Sequence, residues 1–296
     1  MSLIAPFDPW VNPSCSCPEK FSLSAYTGCS HGCLYCYATS YIRDFSRPRP
    51  KKYFIKRLAR EIKKIPSGSI ITIANSSDPY LALEKNLQLT REALAILKHH
   101  DIRIHIVTKS ALVARDIDIL QQCKNLVVSV TLTTLKESLS NKLEPRASAP
   151  GERLGAIKKL SGVIPVAVRI DPLLYPLNTP EIKKMVSAVK RCGAKQIITS
   201  TYKAKPDNFK RMCRAFPEHA ELWKAFYRKE GERNAGYIYL PRPIREKIIN
   251  EVRKAAQAES LLFSSCREGL TELNTAFCDG SSLFNPDFAL GVDEDS

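Results

Sequence analysis

The chain has 296 residues, with 45 Lys and Arg against 30 Asp and Glu and a formal net charge of +15. This length can bury a core of barrel size, and no run approaches the roughly 18 apolar residues of a membrane span. Ten cysteines, behind an N-terminus without the basic and apolar segments of a secretory signal, predict reduced thiols used on metal in the cytoplasm, not disulfides.

Cys15 and Cys17 form a Cys-x-Cys pair between Pro13 and Pro18. A short strand is expected over 22–26, leading into Tyr26-Thr-Gly-Cys29-Ser-His-Gly-Cys33-Leu-Tyr-Cys36-Tyr37. Three thiolates in a Gly-punctuated loop can grip three corners of an iron–sulfur cube, leaving one iron open to a small molecule. The spacing also suits a zinc knuckle completed by His31 or a distant Cys. Between Arg43 and Lys64 come ten Lys and Arg and two acids, a local charge of +8, interleaved with Tyr53 and Phe54. Such a segment suits a polyanion through phosphate neutralisation. A solvated basic helix face or an acidic partner protein accounts for the charge as well.

Beyond this point two textures alternate. Short β-branched runs predict strands over 69–74, 102–107, 126–132, 164–170 and 196–200, and helical patterns fall at 90–99, 111–122, 152–160 and 180–192. Together with 22–26 this makes six strand–helix units, hence an α/β fold, a partial (β/α)6 TIM-type barrel. Polar residues stand where the strands end: Asn75-Ser76-Ser77-Asp78, Thr108-Lys109-Ser110 and Asp171-Pro172, with Ser129 and Thr131 inside the fourth run. In such folds ligands gather at those ends.

Past residue 206 the pattern becomes a helical, Cys-containing C-terminal extension. Basic amphipathic helices are expected over 207–229 and 242–258, joined by a Gly/Pro-rich stretch, followed by a strand over 261–264. The expected divisions are a Cys-x-Cys segment at 1–20, the barrel at 21–205 and the extension at 206–296, whose acidic end at 291–296 reads as disordered. Cys123, Cys192 and Cys213 stand alone in helical patterns and read as structural thiols. Cys15, Cys17, Cys266 and Cys278 make four, the number for a closed zinc site or a fully ligated second 4Fe–4S cluster, with the cluster preferred. Domain termini often lie close together, so the two pairs can meet.

The Cys loop, with Tyr35 just ahead of Cys36, resembles the signature of the radical S-adenosylmethionine (radical SAM) superfamily. Ser77-Asp78-Pro79-Tyr80, Leu89-Thr90-Arg91, Thr108-Lys109-Ser110, Arg115-Asp116, Leu143-Glu144-Pro145-Arg146 and Arg153-Leu154 resemble the branch that includes spore photoproduct lyase. The resemblance implies a 4Fe–4S cluster on Cys29, Cys33 and Cys36, and S-adenosylmethionine on its open iron. It places Tyr35 and Tyr37 beside the adenosyl group, and Ser77, Lys109 and Ser129 at the carboxylate, ribose or sulfonium end. Glu144 and Arg153 are further residues of that pocket. It also implies a reducing partner of the flavodoxin or ferredoxin type. The expected activity is reductive cleavage of S-adenosylmethionine to a 5′-deoxyadenosyl radical, with hydrogen abstraction from an unidentified substrate. The basic segment favours a nucleic acid, repaired or modified; no membrane partner is implied and no catalytic side chain is assigned. One departure bears on the substrate. The photoproduct lyase is expected to carry a hydrogen-donating Cys ahead of the Ser-Asp, where this chain has Asn75, so repair by that route is not expected. The alternative from a different class is a zinc-stabilised, non-catalytic nucleic-acid-binding protein.

Overall fold

The structure, a computed structural model, describes residues 2–7, 14–73 and 76–284. One sheet carries Ala5–Pro6 (β1), Phe21–Leu23 (β2), Ile70–Ile73 (β3), Arg103–Thr108 (β4), Leu126–Thr131 (β5), Val166–Leu173 (β6), Gln196–Thr201 (β7) and Leu262–Ser265 (β8), in that spatial order. β2 to β8 run parallel, and β1 adds antiparallel to the outer edge of β2. The result is a partial barrel of the TIM type, with no hydrogen-bonded closure between its end strands among the described residues.

The β-branched runs form strands because both of their faces are covered, as parallel sheets require. Every residue of β5 and of β7 is buried. Leu126, Val128 and Val130 join the main core with Val166, Val168, Ile170 and Ile197. The alternate residues Val127, Ala167 and Ile198 turn to the barrel interior, where Leu283 packs on them. On the outside, Ile182–Arg191 (α5) buries Ile182, Met185, Val186 and Val189, and Arg242–Ala258 (α7) buries Ile248, Ile249, Val252 and Ala256. The first set recurs at i, i+3, i+4 and i+7 and the second at i, i+1, i+4 and i+8, the one-sided stripes of helices laid on a sheet. Each such Ile or Val contributes about 1.5–3 kcal/mol of burial.

The remaining helices relevant to the site are Phe54–Glu61 (α1), Leu89–Leu97 (α2), Glu137–Leu143 (α3), Pro150–Ser161 (α4) and Pro206–Ala215 (α6). The chain departs from the expected pattern at three places. The strand at Leu262–Ser265 pairs in parallel with β7 and adds a seventh parallel strand, so the C-terminal region shares the barrel's sheet. The helix expected over 207–229 is divided: α6 ends at Ala215, and Phe216, with a ψ of 68°, leads into Pro217 and a new helix, Pro217–Trp223. A proline ring disfavours the helical conformation at the residue before it. Finally, 111–122 is a 3-10 segment, Ala111–Asp116, continued by one α turn, Ile117–Leu120. The acidic end at 291–296 lies outside the described residues.

The last described stretch plugs the interior. Gln196 Nε2 donates to the carbonyl of Phe277 (2.8 Å), and Lys20 Nζ meets Asp279 at 2.5 Å in an ion pair almost wholly buried. Gly280 follows them at φ +85°, where a Cβ would lie 3.3 Å from Val127 Cγ1. No described helix is long and apolar enough to cross a membrane.

Candidate active site at the barrel mouth

The loop after β2 brings Cys29, Cys33 and Cys36 within electrostatic reach of one another. Two glycines are obligatory there. Gly28 has φ +86°, and a Cβ would stand 2.5 Å from the carbonyl oxygen of Phe45; Gly32 has φ +71°, with Arg146 Nη2 2.9 Å from its missing Cβ. Burial, with Asp78 beside it, raises the Cys29 thiol to about 11. Burial and then Glu144 push Cys33 well up, and burial raises Cys36. Three soft sulfurs gathered in a water-poor loop hold their protons until a cation replaces them, which fits the donor set of an iron–sulfur cluster.

Side chains far away in sequence pin the loop's own carbonyls. Arg211 on α6 donates through Nε to Leu34 O (3.1 Å) and through Nη2 to Cys36 O (2.8 Å), while Asn208 Nδ2 donates to Tyr35 O (2.9 Å). From the other side Arg146 Nε donates to Ser30 O (2.5 Å), and Leu34 N–H donates to Leu143 O (2.9 Å) at the end of α3. The two clamps on α6, Asn208 and Arg211, are absent from the expectations above, because a single Arg or Asn in a helix carries no periodic signal. Arg211→Ala is expected to cost about 1–3 kcal/mol, the worth of two charge-assisted hydrogen bonds, and to speed iron loss to a chelator. Hydrogen exchange at residues 34–36 should rise with it, and unchanged exchange there would argue against the clamp.

Glu144 underlies the loop. It accepts from Thr133 Oγ1 (2.7 Å) and from the Tyr35 hydroxyl, and it pairs with Arg153 Nη2 at 2.5 Å. The Arg153 contact is a close ion pair without hydrogen-bond alignment. Arg153 also donates to Ser148 O (2.7 Å) and Thr131 O (3.1 Å). Lys109, just past β4, sets its ammonium 5.6 Å from the Tyr35 ring centroid and within reach of Glu144, Cys33 and Cys36. Asp78 locks the neighbouring strand ends. It accepts from Lys109 N–H (2.7 Å) and Thr108 Oγ1 (2.7 Å), and its Oδ2 lies 3.1 Å from His31 Nε2. Burial would raise its carboxyl, but His31 and these donors hold it at about 2.

The structure therefore gathers Cys29, Cys33, Cys36, Tyr35 and Lys109 at one mouth, with Ser77 buried beside Asp78. Tyr37 is half-buried, its ring edge-on to Tyr237 at 5.4 Å and stacked with Tyr41 at 6.4 Å. Ser129 sits deeper: its hydroxyl meets His105 Nε2 at 2.9 Å and Gly280 lies over it. Across the mouth Asp171, at the end of β6, pairs with Arg169 (2.7 Å) and accepts from Ser200 Oγ (2.6 Å). Burial would raise its carboxyl, but Arg169 and Lys203 bring it down to about 2. Asn75 lies outside the described residues.

The family model of the radical SAM superfamily matches residues 23–189, more than half of the chain. The chain belongs to the radical SAM superfamily. An uncharacterised protein of Methanocaldococcus jannaschii is 30% identical over 154 residues, covering 51% of this chain and 58% of that protein. One of Acidianus two-tailed virus is 29% identical over 179 residues, covering 55% and 59%. The match thus spans little more than half the length of these relatives. A Mycobacterium bovis protein is 24% identical over 255 residues, covering 79% of this chain and 73% of its own. Among solved structures, a spore photoproduct lyase variant with bound AdoMet and dinucleoside spore photoproduct superposes with a TM-score of 0.67 at 15% identity, over 85% of this chain and 77% of that one. Streptococcus suis SuiB bound to S-adenosylmethionine gives 0.54 at 14% identity, over 93% and 61%. Likenesses this distant speak for the fold. Members of this superfamily use a 4Fe–4S cluster, S-adenosylmethionine and an electron donor, and membership leaves the non-catalytic zinc alternative without support.

The terminal cysteines also meet. Cys17 Sγ lies 3.4 Å from Cys278 Sγ, Cys15 touches Cys17, and Cys266 touches Cys278. Cys123 is separate and lies past the α turn at Ile117–Leu120, not in a helix as expected, its thiol directed at the carbonyl of Ile119 (3.6 Å).

Proposed function

We propose that this radical SAM enzyme acts on a nucleic acid, repairing or modifying it by hydrogen abstraction at the barrel mouth. When bound, the cluster and S-adenosylmethionine supply a 5′-deoxyadenosyl radical able to abstract a substrate hydrogen. In this reading Cys29, Cys33 and Cys36 hold the cluster. Lys109 presents its ammonium to the methionyl carboxylate, a charge-assisted contact in a nearly closed site. Tyr35 and Tyr37 flank the adenosyl group, with Tyr35 held in place by Glu144. Ser77 lines the carboxylate end, and Ser129 enters through His105 beneath the pocket instead of by direct contact. The reductant is a flavodoxin- or ferredoxin-type protein.

The observation that supports the substrate class is the rim. Tyr41, 54% exposed, and Tyr237 flank Lys205, whose ammonium is 4.6 Å from the Tyr237 centroid and 5.8 Å from that of Tyr41. Aromatic faces interleaved with cations stack bases and track phosphates. The basic segment follows Tyr41 in the chain: Arg43, Arg47, Arg49, Lys52, Lys56 and Arg60 are all exposed, while α1 buries Phe54 and Leu58. A base in a duplex would have to be flipped out to reach the mouth. Among the solved likenesses, several spore photoproduct lyase structures carry a dinucleoside photoproduct.

The test uses anaerobically purified protein. The Cys29/Cys33/Cys36→Ala variant is expected to lose about four irons. Lys109→Ala should keep its iron and bind S-adenosylmethionine about 10–100-fold more weakly, the loss of one charged hydrogen bond. Single-stranded oligonucleotide binding should weaken steeply with salt and fail in a Lys52→Glu/Lys56→Glu variant. Zinc in place of iron would overturn the cluster assignment, and salt-insensitive or absent oligonucleotide binding would overturn the substrate class.

A further inference from the structure

The segment 14–20 runs along the seam between the barrel's first and last parallel strands. At one end Asn234 Nδ2 donates to Ser14 Oγ (2.8 Å), and at the other Lys20 is paired with Asp279 beside the start of β2. Cys15 and Cys17 lie on this segment. Facing them, Cys266 follows β8 and Cys278 lies in the interior plug, its carbonyl accepting from Arg169 Nη1 at 3.4 Å. The sulfurs form an unbroken series, Cys15 to Cys17 to Cys278 to Cys266. None of them belongs to the loop of Cys29, Cys33 and Cys36.

The surroundings are not those of thiols packed as hydrophobes. Arg169 reaches Cys266, Lys203 Nζ donates to the Cys266 carbonyl (3.2 Å), Lys20 reaches Cys17, and Arg267 lies near Cys15. Arg169 is shared with Asp171, Lys203 with Glu268 and Lys20 with Asp279. Four bare thiolates would bring four negative charges to this site, whereas four thiolates around a core of +2 bring two, the smaller charge for these basic surroundings to hold.

We propose that Cys15, Cys17, Cys266 and Cys278 ligate a second metal centre that ties the N-terminal segment across the barrel seam. The shared chemistry is a soft, thiolate-preferring core of charge +2, supplied by a single zinc ion or by a fully ligated 4Fe–4S cluster. Among the described residues no three such side chains already surround a common point, so binding turns the sulfurs inward from their present series. Four ligands close the coordination shell, and this centre offers no open site to S-adenosylmethionine. Its role is to fix the seam and the interior plug, or to carry electrons.

The proposal does not depend on the function proposed above, and its test separates the two. Iron, sulfide and zinc are measured in the anaerobic full-length protein, in Cys29/Cys33/Cys36→Ala and in Cys266→Ser/Cys278→Ser, with circular dichroism to confirm folding. The triple variant is expected to retain one centre, either about four irons with four sulfides or one zinc, and low-temperature EPR of the reduced protein distinguishes them. The Ser double variant is expected to lose that centre alone. A folded triple variant free of iron and zinc would overturn the proposal even if the double variant fails to fold. So would a double variant with the parent's metal content, or a Cys17–Cys278 disulfide found in metal-free parent protein.

Discussion

Replacing Glu144 by alanine is expected to destabilise the chain by about 3–5 kcal/mol, the usual cost of breaking a buried ion pair from one side. Glu144 is 2% exposed and Arg153 is 1% exposed. Arg153 keeps its bonds to Ser148 O and Thr131 O in the variant, but its charge is left in the core with no counter-ion. Tyr35 and Thr133 lose their acceptor at the same time. Removing both charges, in Glu144→Ala/Arg153→Leu, should recover part of the loss, because a buried pair compared with an apolar replacement is often neutral. Urea midpoints for the single and double variants measure the coupling. Iron retention should fall in both, since each frees the Tyr35 hydroxyl beneath the Cys loop. A single variant within about 1 kcal/mol of the parent would show that Arg153 finds water or another partner, against its burial here.

How much of this was legible in the sequence depends on the range of each signal. α7 appears with its expected bounds because Ile248, Ile249, Val252 and Ala256 recur at helical spacing. The β-branched runs became strands whose ends are displaced by at most three residues, because both faces of each are covered. α1 was hidden behind charge: Phe54, Leu58 and Ile62 keep the four-residue repeat, but the eye follows the Lys and Arg between them. The break at Pro217 carried a local signal, overridden by the basic amphipathic pattern on either side. The seventh parallel strand was seen as a strand but not as part of the barrel, since 60 residues of helix and hairpin separate it from β7. At the site, residue types at fixed spacing revealed the three thiols, and the role of Lys109 came from the resemblance. Asn208 and Arg211 act across 173 to 177 residues of sequence, which no local pattern reports. The cysteine pairs were legible, but their meeting depended on how the chain crosses the seam.

Acid should loosen the same mouth through Asp78. Its carboxyl drops from 3.8 to about 2 on folding, against the cost of burial, because His31, Lys109 N–H and Thr108 stabilise the anion. A depressed folded-state value means stability that is present in full above the unfolded pKa. It is lost as pH falls from about 4 towards 2. A difference of about two units corresponds to about 2–3 kcal/mol. Asp171 is held at about 2 as well, so the parent's total acid loss exceeds the share of Asp78. Asp78→Asn isolates that share: at pH 5 it should be about 2–3 kcal/mol less stable than the parent, and between pH 5 and pH 3 it should lose less. Chemical denaturation at the two pH values gives both slopes. Because Asp78 ties His31 of the Cys loop to the strand end that bears Lys109, iron release from the parent should accelerate over the same interval. Parallel slopes for parent and variant would mean that the carboxylate titrates equally in folded and unfolded chains. The His31–Asp78–Lys109 tie would then contribute nothing to holding the mouth together.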